Sequence, residues 1–221
     1  KEWLENYDRN LYLDTNRDSV PYEDFIGEEM IHFSKYDCER SIPNIDGLKT
    51  SQRKVLYTCF KRRLTSEIKV AQLSGSVSEL SRYHHGEQSL NGTIVNMAQN
   101  FVGSNNINLL EPNGQFGTRI QGGNDSASER YIFTQLNKIT RYIFPETDDN
   151  ILTYLNDDGL LVEPIFYAPI IPMVLVNGSK GIGTGFSTDI MCYNPSQIIQ
   201  YIREKLSGAL TGGNTDFVPY Y

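Results

Sequence analysis

The chain has 221 residues, 39% of them hydrophobic and 21% charged, which is enough to bury a core and too apolar for a disordered tail. Its net charge of −7, from 20 Lys and Arg against 27 Asp and Glu, counts against a polyanionic partner if taken whole. The charge is blocked, however: residues 1–40 sum to −6, 41–90 to +4, 91–145 to +1 and 146–221 to −6, so a basic middle lies between acidic ends. The cysteines, Cys38, Cys59 and Cys192, make no C-x-x-C pair, which argues against a disulfide framework or a zinc cluster and points to a reducing compartment. No apolar run approaches the roughly 18 residues of a membrane helix, and no basic-then-apolar leader opens the chain. The N-x-[ST] triplets at Asn91, Asn124 and Asn177 therefore read as chance. A start at Lys1 and a stop at Tyr220-Tyr221 read as a fragment of a longer protein.

In chain order, Val20-Pro21 is followed by Tyr22, Phe25, Ile26, Met30, Ile31 and Phe33, a spacing that predicts an acidic amphipathic helix packed through its apolar face. Ile42-Pro43-Asn44 and Asp46-Gly47 predict a turn, and residues 50–63 a helix capped by Thr50 or Ser51. Val55, Leu56, Cys59 and Phe60 fall on one side of that helix, and Lys54 and Lys61 on another. A second helical pattern runs from Lys69 to Arg82, breaks at Tyr83-His84-His85-Gly86, and is followed by a third through Leu90, Ile94, Met97 and Phe101. Helix, short glycine-containing turn, helix is the outline of a helix-turn-helix, and it lies in the basic part of the chain. Leu109-Leu110, Phe116, Ile120 and Tyr131-Ile132-Phe133 predict short strands of a small hairpin, as in a winged helix. Beyond Glu146 the composition turns acidic, and prolines at 169 and 172 make the apolar run 165–176 irregular or an edge. A glycine-rich loop at 178–185 and a closing helix at 195–206 complete the pattern, so a second domain is expected from about residue 146.

The residue types suggest chemistry with more than one reading. Lys49, Arg53, Lys54, Lys61, Arg62 and Arg63 form a basic cluster, either a solvated helix face or a phosphate-binding one. His84 and His85 at a helix start suit a phosphate, or serve as a capping turn with one imidazole buried; adjacent histidines on a helix do not converge on one metal. The 178–185 loop matches neither G-x-G-x-x-G nor G-K-[ST], which favours a tight turn over a nucleotide site. Ile182, flanked by glycines, reads as a residue tucked into the core or as an exposed apolar wedge. Asp157-Asp158-Gly159 reads as turn chemistry. Among 14 tyrosines Tyr131 stands out, because Arg130 precedes it and a Gly, Ser and Asn loop would hold it exposed. A phenol titrating near a pH of about 10 needs its anion stabilised before it attacks, and a neighbouring guanidinium also stabilises charge on a phosphoryl oxygen.

Longer strings then carry a resemblance. Asp46-Gly47-Leu48-Lys49 with Gln52-Arg53-Lys54-Val55-Leu56, Lys69-Val70-Ala71-Gln72-Leu73, Tyr83-His84-His85-Gly86, Ala98 to Asn106, Gly114 to Arg119, Arg130-Tyr131-Ile132-Phe133-Thr134 and Gly181-Ile182-Gly183-Thr184-Gly185 resemble the breakage and reunion region of eukaryotic-type (type IIA) DNA topoisomerase II, in order from about Trp3 to about Pro195. One departure is Thr50-Ser51, where cellular members usually carry Pro-Gly.

The resemblance implies an α+β fold: an acidic lead-in over 1–40 that follows a Toprim domain, a winged-helix domain over 41–145, and the start of an α/β tower domain over 146–221. It implies an ATP-dependent type II topoisomerase in which Tyr131 attacks a DNA phosphodiester and stays joined to the 5′ phosphate, with Arg130 stabilising the transition state. Lys49, Arg53, Lys54, Tyr83, His84, His85 and Ser89 would hold double-stranded DNA, mostly through its backbone, and Ile182 would wedge between base pairs. Mg²⁺ and ATP would be bound by domains outside this chain, so no metal ligands are expected here. A homodimer, no membrane, and a nuclear location, or a viral factory in the host cytoplasm for a large DNA virus, complete the expectation. The fragment alone is expected to bind DNA weakly and not to cleave it. The alternative is a non-catalytic winged-helix DNA-binding module with Tyr131 as an ordinary wing residue.

Overall fold

The computed structural model describes residues 2–209 and 216–221. The chain opens with α1 (Glu2–Glu5) and, after Pro21, runs helically through α2 (Tyr22–Asp24), a π-helical turn (Phe25–Met30) and α3 (Ile31–Ser41). The helix predicted after Val20-Pro21 is present, but Tyr22, Phe25, Ile26 and Phe33 of its apolar face are exposed, whereas Ile31 and Ser34 are buried. The connecting segment is held to α3 by His32, whose Nε2 lies 2.7 Å from the Leu11 carbonyl and whose ring stacks on Tyr12 at 4.6 Å.

The centre is a cluster of α4 (Thr50–Lys61), α5 (Val70–Ser81) and α6 (Glu87–Ala98), packed pairwise on one another. Each lies within the stretch its periodicity predicts and stops one to three residues short. Val55, Leu56, Cys59, Val70, Leu73, Val77, Leu90 and Ile94 are fully buried between them, where truncating a single Leu to Ala costs about 2–5 kcal/mol. The expected Thr50 or Ser51 cap is replaced: Lys49 holds the N-cap position, and its N–H donates to Gln52 Oε1 at 2.9 Å. Thr50 instead donates its hydroxyl to the Glu39 carbonyl at 3.0 Å. The preceding turn needs glycine at 47, where φ is +76° and a Cβ would collide with the Val174 backbone.

The small hairpin expected over 109–133 does not form as such. Only β2 (Phe133–Thr134) is a strand, and it pairs with β1 (Ile68–Lys69) from before α5, while Leu110 and Asn113 make isolated bridges to Leu136 and Phe133. Side chains hold this loop where backbone ladders are missing: Gln99 Nε2 donates to the Phe116 carbonyl at 2.8 Å, and Asp125 accepts from Thr118 N and Oγ1 at 2.7 and 2.8 Å.

Past α7 (Thr140–Ile143) and a 3₁₀ turn (Glu146–Asn150), β3 (Tyr154–Asp157) and β4 (Leu160–Pro164) form an antiparallel hairpin against α4. Residues 165–172 are irregular, as their prolines predict, and lead into α8 (Met173–Val176). The glycine-rich segment is not a loop but β5 (Ser179–Gly183), paired in continuous antiparallel register with β6 (Phe186–Ile190). Only the tip between them turns. α9 (Pro195–Leu206) follows, its N-terminus capped by the Asn194 side chain on Ser196 N at 2.9 Å, and Phe217 beyond it packs edge-on against Tyr193 and Tyr201.

Candidate functional site

Tyr131 sits on a turn between the ordered Asp125 loop and β2, 73% exposed, with the Arg130 guanidinium 5.9 Å from its ring centre. The backbone beneath it is fixed by a helix end. The first N–H groups of α5, which lack partners within the helix, donate to the carbonyls on either side of Tyr131: Val70 N to Ile132 O at 3.1 Å and Ala71 N to Glu129 O at 3.2 Å. Tyr131 N donates in turn to Ser128 O at 2.9 Å, and Ile132 is buried. An exposed phenol on an immobilised backbone suits a nucleophile that must meet a large substrate, since position is set before binding.

The turn between α5 and α6 begins at Arg82, which takes the left-handed conformation at φ 49°. It presents His84 and His85 at the surface, with neither imidazole buried, beside the N-terminus of α6. His85 Nε2 bonds the Tyr36 hydroxyl and its ring packs edge-on to Tyr83 at 5.2 Å. Partial burial, with Arg40, His84 and Lys54 nearby, holds the His85 imidazole below its ordinary pKa. Tyr83 reaches Ser89 Oγ at 3.5 Å, so Ser89 shares this surface. The tip of the β3–β4 hairpin also lies here: Asp157 Oδ2 is 3.2 Å from His84 Nε2, and Asp158 Oδ2 is 3.7 Å from Arg82 Nη1. The turn chemistry read from the sequence gives no sign of these two contacts.

On β5, alternation puts Gly181 inside and sends Lys180 and Ile182 outward; Ile182 is 76% exposed. Of the two readings of Ile182, the core one is overturned. Lys49 Nζ donates to the Lys180 carbonyl at 2.7 Å, and burial lowers its ammonium below the ordinary lysine value. A cavity of about 280 Å³ opens beside these two lysines, lined also by Gln52, Asn96, Asn105 and Ser179. Cations and amide donors in one concavity suit a sugar-phosphate backbone. The sequence assigns no contact role to Lys180, Asn96 or Asn105; reading 179–183 as a strand is the signal that picks out Lys180.

Two of the residues expected at DNA, Arg53 and Lys54, have partners within the protein. Arg53 is buried, with Nε and Nη2 donating to the two carboxylate oxygens of Asp46 at 2.7 and 2.9 Å, and Nη2 also to Leu48 O at 2.8 Å. Lys54 donates to the buried Glu163 at 2.8 Å and to the Ser81 carbonyl at the end of α5. Both cations face inward because α4 is covered on that side by β4 and residues 165–167. The basic cluster is therefore no single patch, and Lys49 and Lys61 are about 18 Å apart along the helix. Asn177, one of the chance triplets, exchanges hydrogen bonds with the Ile107 backbone at 2.9 and 2.8 Å. Among the described residues no three His, Cys, Asp or Glu side chains are grouped to hold a metal ion, and no helix is long and apolar enough to cross a membrane.

The DNA gyrase/topoisomerase IV family model matches residues 40–221. The chain belongs to this family. Residues 1–38 match a second model, the C-terminal associated domain of TOPRIM. Within the topoisomerases, the chain is 57% identical over 209 residues to DNA topoisomerase 2 of Arabidopsis thaliana and 56% identical over 222 residues to that of Drosophila melanogaster; each match takes in 94% of the chain. It spans 14% and 15% of the length of these two relatives. A crystal structure of the Plasmodium falciparum topoisomerase II DNA-binding, cleavage and re-ligation domain superposes with a TM-score of 0.88 at 54% identity, over 100% of this chain and 30% of that one. The mixed helix and strand fold is thus that of a topoisomerase II cleavage and reunion region.

Proposed function

We propose that the chain is the DNA-gate segment of a eukaryotic-type, ATP-dependent type II DNA topoisomerase, which breaks both strands of a duplex, passes another through and reseals the break. The observation that carries this reading is Tyr131 with Arg130: a solvent-facing phenol on a backbone clamped to the N-terminus of α5, in a chain of this family. The α4, α5 and α6 cluster with the Tyr131 loop reads as the winged helix (41–145), residues 1–40 as a lead-in from a Toprim domain, and 146–221 as the start of the tower.

In the step proposed, Tyr131 Oη attacks a backbone phosphorus, the P–O3′ bond breaks as the P–Oη bond forms, and the 3′ oxygen leaves as a hydroxyl. One phosphodiester replaces another, so the break is resealed by the reverse attack. Arg130, the neighbour of the nucleophile, offsets charge on a non-bridging oxygen in this reading, supported by its guanidinium lying 5.9 Å from the Tyr131 ring centre. Lys49, Lys180 and the His84-His85 turn hold the duplex through its backbone, which fits an enzyme with little sequence preference, and Ile182 enters a base step and bends it. Mg²⁺ and ATP belong to the full-length family. Among the described residues no three His, Cys, Asp or Glu side chains are grouped as a metal site, so the ligands for Mg²⁺ are assigned to the domains outside this chain. The partners proposed are double-stranded DNA and a second copy of the chain, and the location is the nucleus. Full-length protein given supercoiled plasmid, Mg²⁺ and ATP should relax it, and Tyr131→Phe should not. Unchanged relaxation by the variant would remove Tyr131 as the nucleophile, and no relaxation by the wild type would leave the non-catalytic DNA-binding reading in its place.

A further inference from the structure

One turn of α3 touches two of the surface elements to which DNA contacts are assigned. Tyr36 bonds His85 of the turn between α5 and α6, with the two rings 5.7 Å apart. The next residue, Asp37, accepts a hydrogen bond on Oδ2 from Thr184 Oγ1 at 3.1 Å, at the tip of the Ile182 hairpin. Cys38 then donates its thiol to the Thr184 carbonyl at 3.3 Å. Successive residues leave a helix about 100° apart, so adjacent faces of a single turn seat two elements that are about 100 residues apart in sequence.

The hairpin lies flat on the helix. Gly181 faces the Ser41 carbonyl so closely that a Cβ there would overlap it, and a Cβ on Gly183 would lie 3.0 Å from Cys38 Cα. The Gly-Ile-Gly alternation thus gives a smooth inner face against α3 and one apolar side chain outward. Asp37 is itself held, its Oδ1 accepting from Arg40 at 3.3 Å and from Ser41 at 3.5 Å. α3 also crosses the boundary between the two family matches, which end at 38 and begin at 40.

We infer that α3 is the strut that fixes the Ile182 hairpin relative to the His85 turn, with Asp37 as a positioning residue for DNA bending. The inference rests on the wedge reading of Ile182. Asp37 touches no DNA in it: removing the carboxylate frees the hairpin to yield when Ile182 is pressed into a base step, so the duplex bends less while backbone contacts persist.

The test uses the full-length protein and a duplex carrying a donor and an acceptor at its ends, with bending read as energy transfer and affinity as anisotropy. Asp37→Ala, and Thr184→Val from the hairpin side, should each lower the ratio of bent to straight DNA about fivefold, the shift one hydrogen bond commands. Affinity should stay within about twofold. Asp37→Asn retains an acceptor for the Thr184 hydroxyl and should restore bending. Wild-type bending in both Asp37→Ala and Thr184→Val, with bending lost in Ile182→Ala, would overturn the strut and leave the wedge standing. Failure of Asp37→Asn to restore bending would also overturn it. Unchanged bending in Ile182→Ala would overturn the wedge reading and the strut with it.

Discussion

Replacing Arg53 by Ala tests whether that cation serves the fold or the DNA. Among the described residues its guanidinium is the only basic partner of the fully buried Asp46, to which it makes two bonds of 2.7 and 2.9 Å. Without it the Asp46 carboxylate keeps only the backbone N–H groups of Leu48 and Tyr167, both at 3.0 Å, in a site closed to water. Breaking a buried pair from one side costs about 3–5 kcal/mol, whereas replacing both partners by apolar side chains of similar volume is close to neutral. For a domain of this size that cost lowers the melting temperature by about 10 °C. The assay is urea unfolding of the 221-residue chain, with wild type, Arg53→Ala and the double variant Asp46→Leu/Arg53→Met side by side. The single variant should lose most of the stability and the double variant recover most of it. Undiminished stability in Arg53→Ala, with weaker DNA binding, would show that the side chain faces DNA and would refute the buried pair.

Other consequences follow from the same geometry. Asp157→Asn and Asp158→Asn remove anions that face His84 and Arg82, and each should tighten DNA binding about twofold to fivefold at low salt; weaker binding would mean these acids help rather than compete. His85 is held below its ordinary pKa of 6.5, so its neutral form contributes stability above that value, and the contribution is lost as pH falls through the lowered one. A phosphate beside it favours the charged form, so DNA affinity should rise as pH falls from 7.5 to about 6 with uptake of a proton, and His85→Gln should flatten that slope in an anisotropy titration. Burial pushes the Cys59 thiol up to about 12 while Cys38 and Cys192 stay partly exposed. A maleimide should therefore label those two and spare Cys59 until the protein unfolds; equal labelling of all three in the native protein would contradict the packing.

Much of the framework was legible because helical periodicity survives in a single chain. Val55 to Phe60, Val70 to Val77 and Leu90 to Met97 mark the buried faces of α4, α5 and α6, and the Asp46-Gly47 and Asp157-Asp158-Gly159 turns lie where their residue types put them. What failed depended on distant partners. Helical periodicity does not distinguish Arg53 and Lys54 from solvated cations, because Asp46 meets Arg53 across the turn before α4 and Glu163 reaches Lys54 only through tertiary packing. β1 and β2 are about 65 residues apart and two residues long, below what alternation can reveal. The glycines of 181–185 read as a loop because the helix that needs a smooth strand against it, α3, lies about 140 residues earlier. Its neighbour and its loop mark Tyr131 in the sequence, but the clamp from Val70 and Ala71 appears only in three dimensions.

The proposed chemistry turns on the phenol of Tyr131. The direct measurement is to incubate the full-length protein with labelled duplex and Mg²⁺, stop the reaction with denaturant, digest it and locate the DNA remnant by mass spectrometry. A nucleotide joined through its 5′ phosphate to the peptide carrying Tyr131, and absent from Tyr131→Phe, is the predicted result. A covalent adduct on any other residue, or one that persists in Tyr131→Phe, would contradict it.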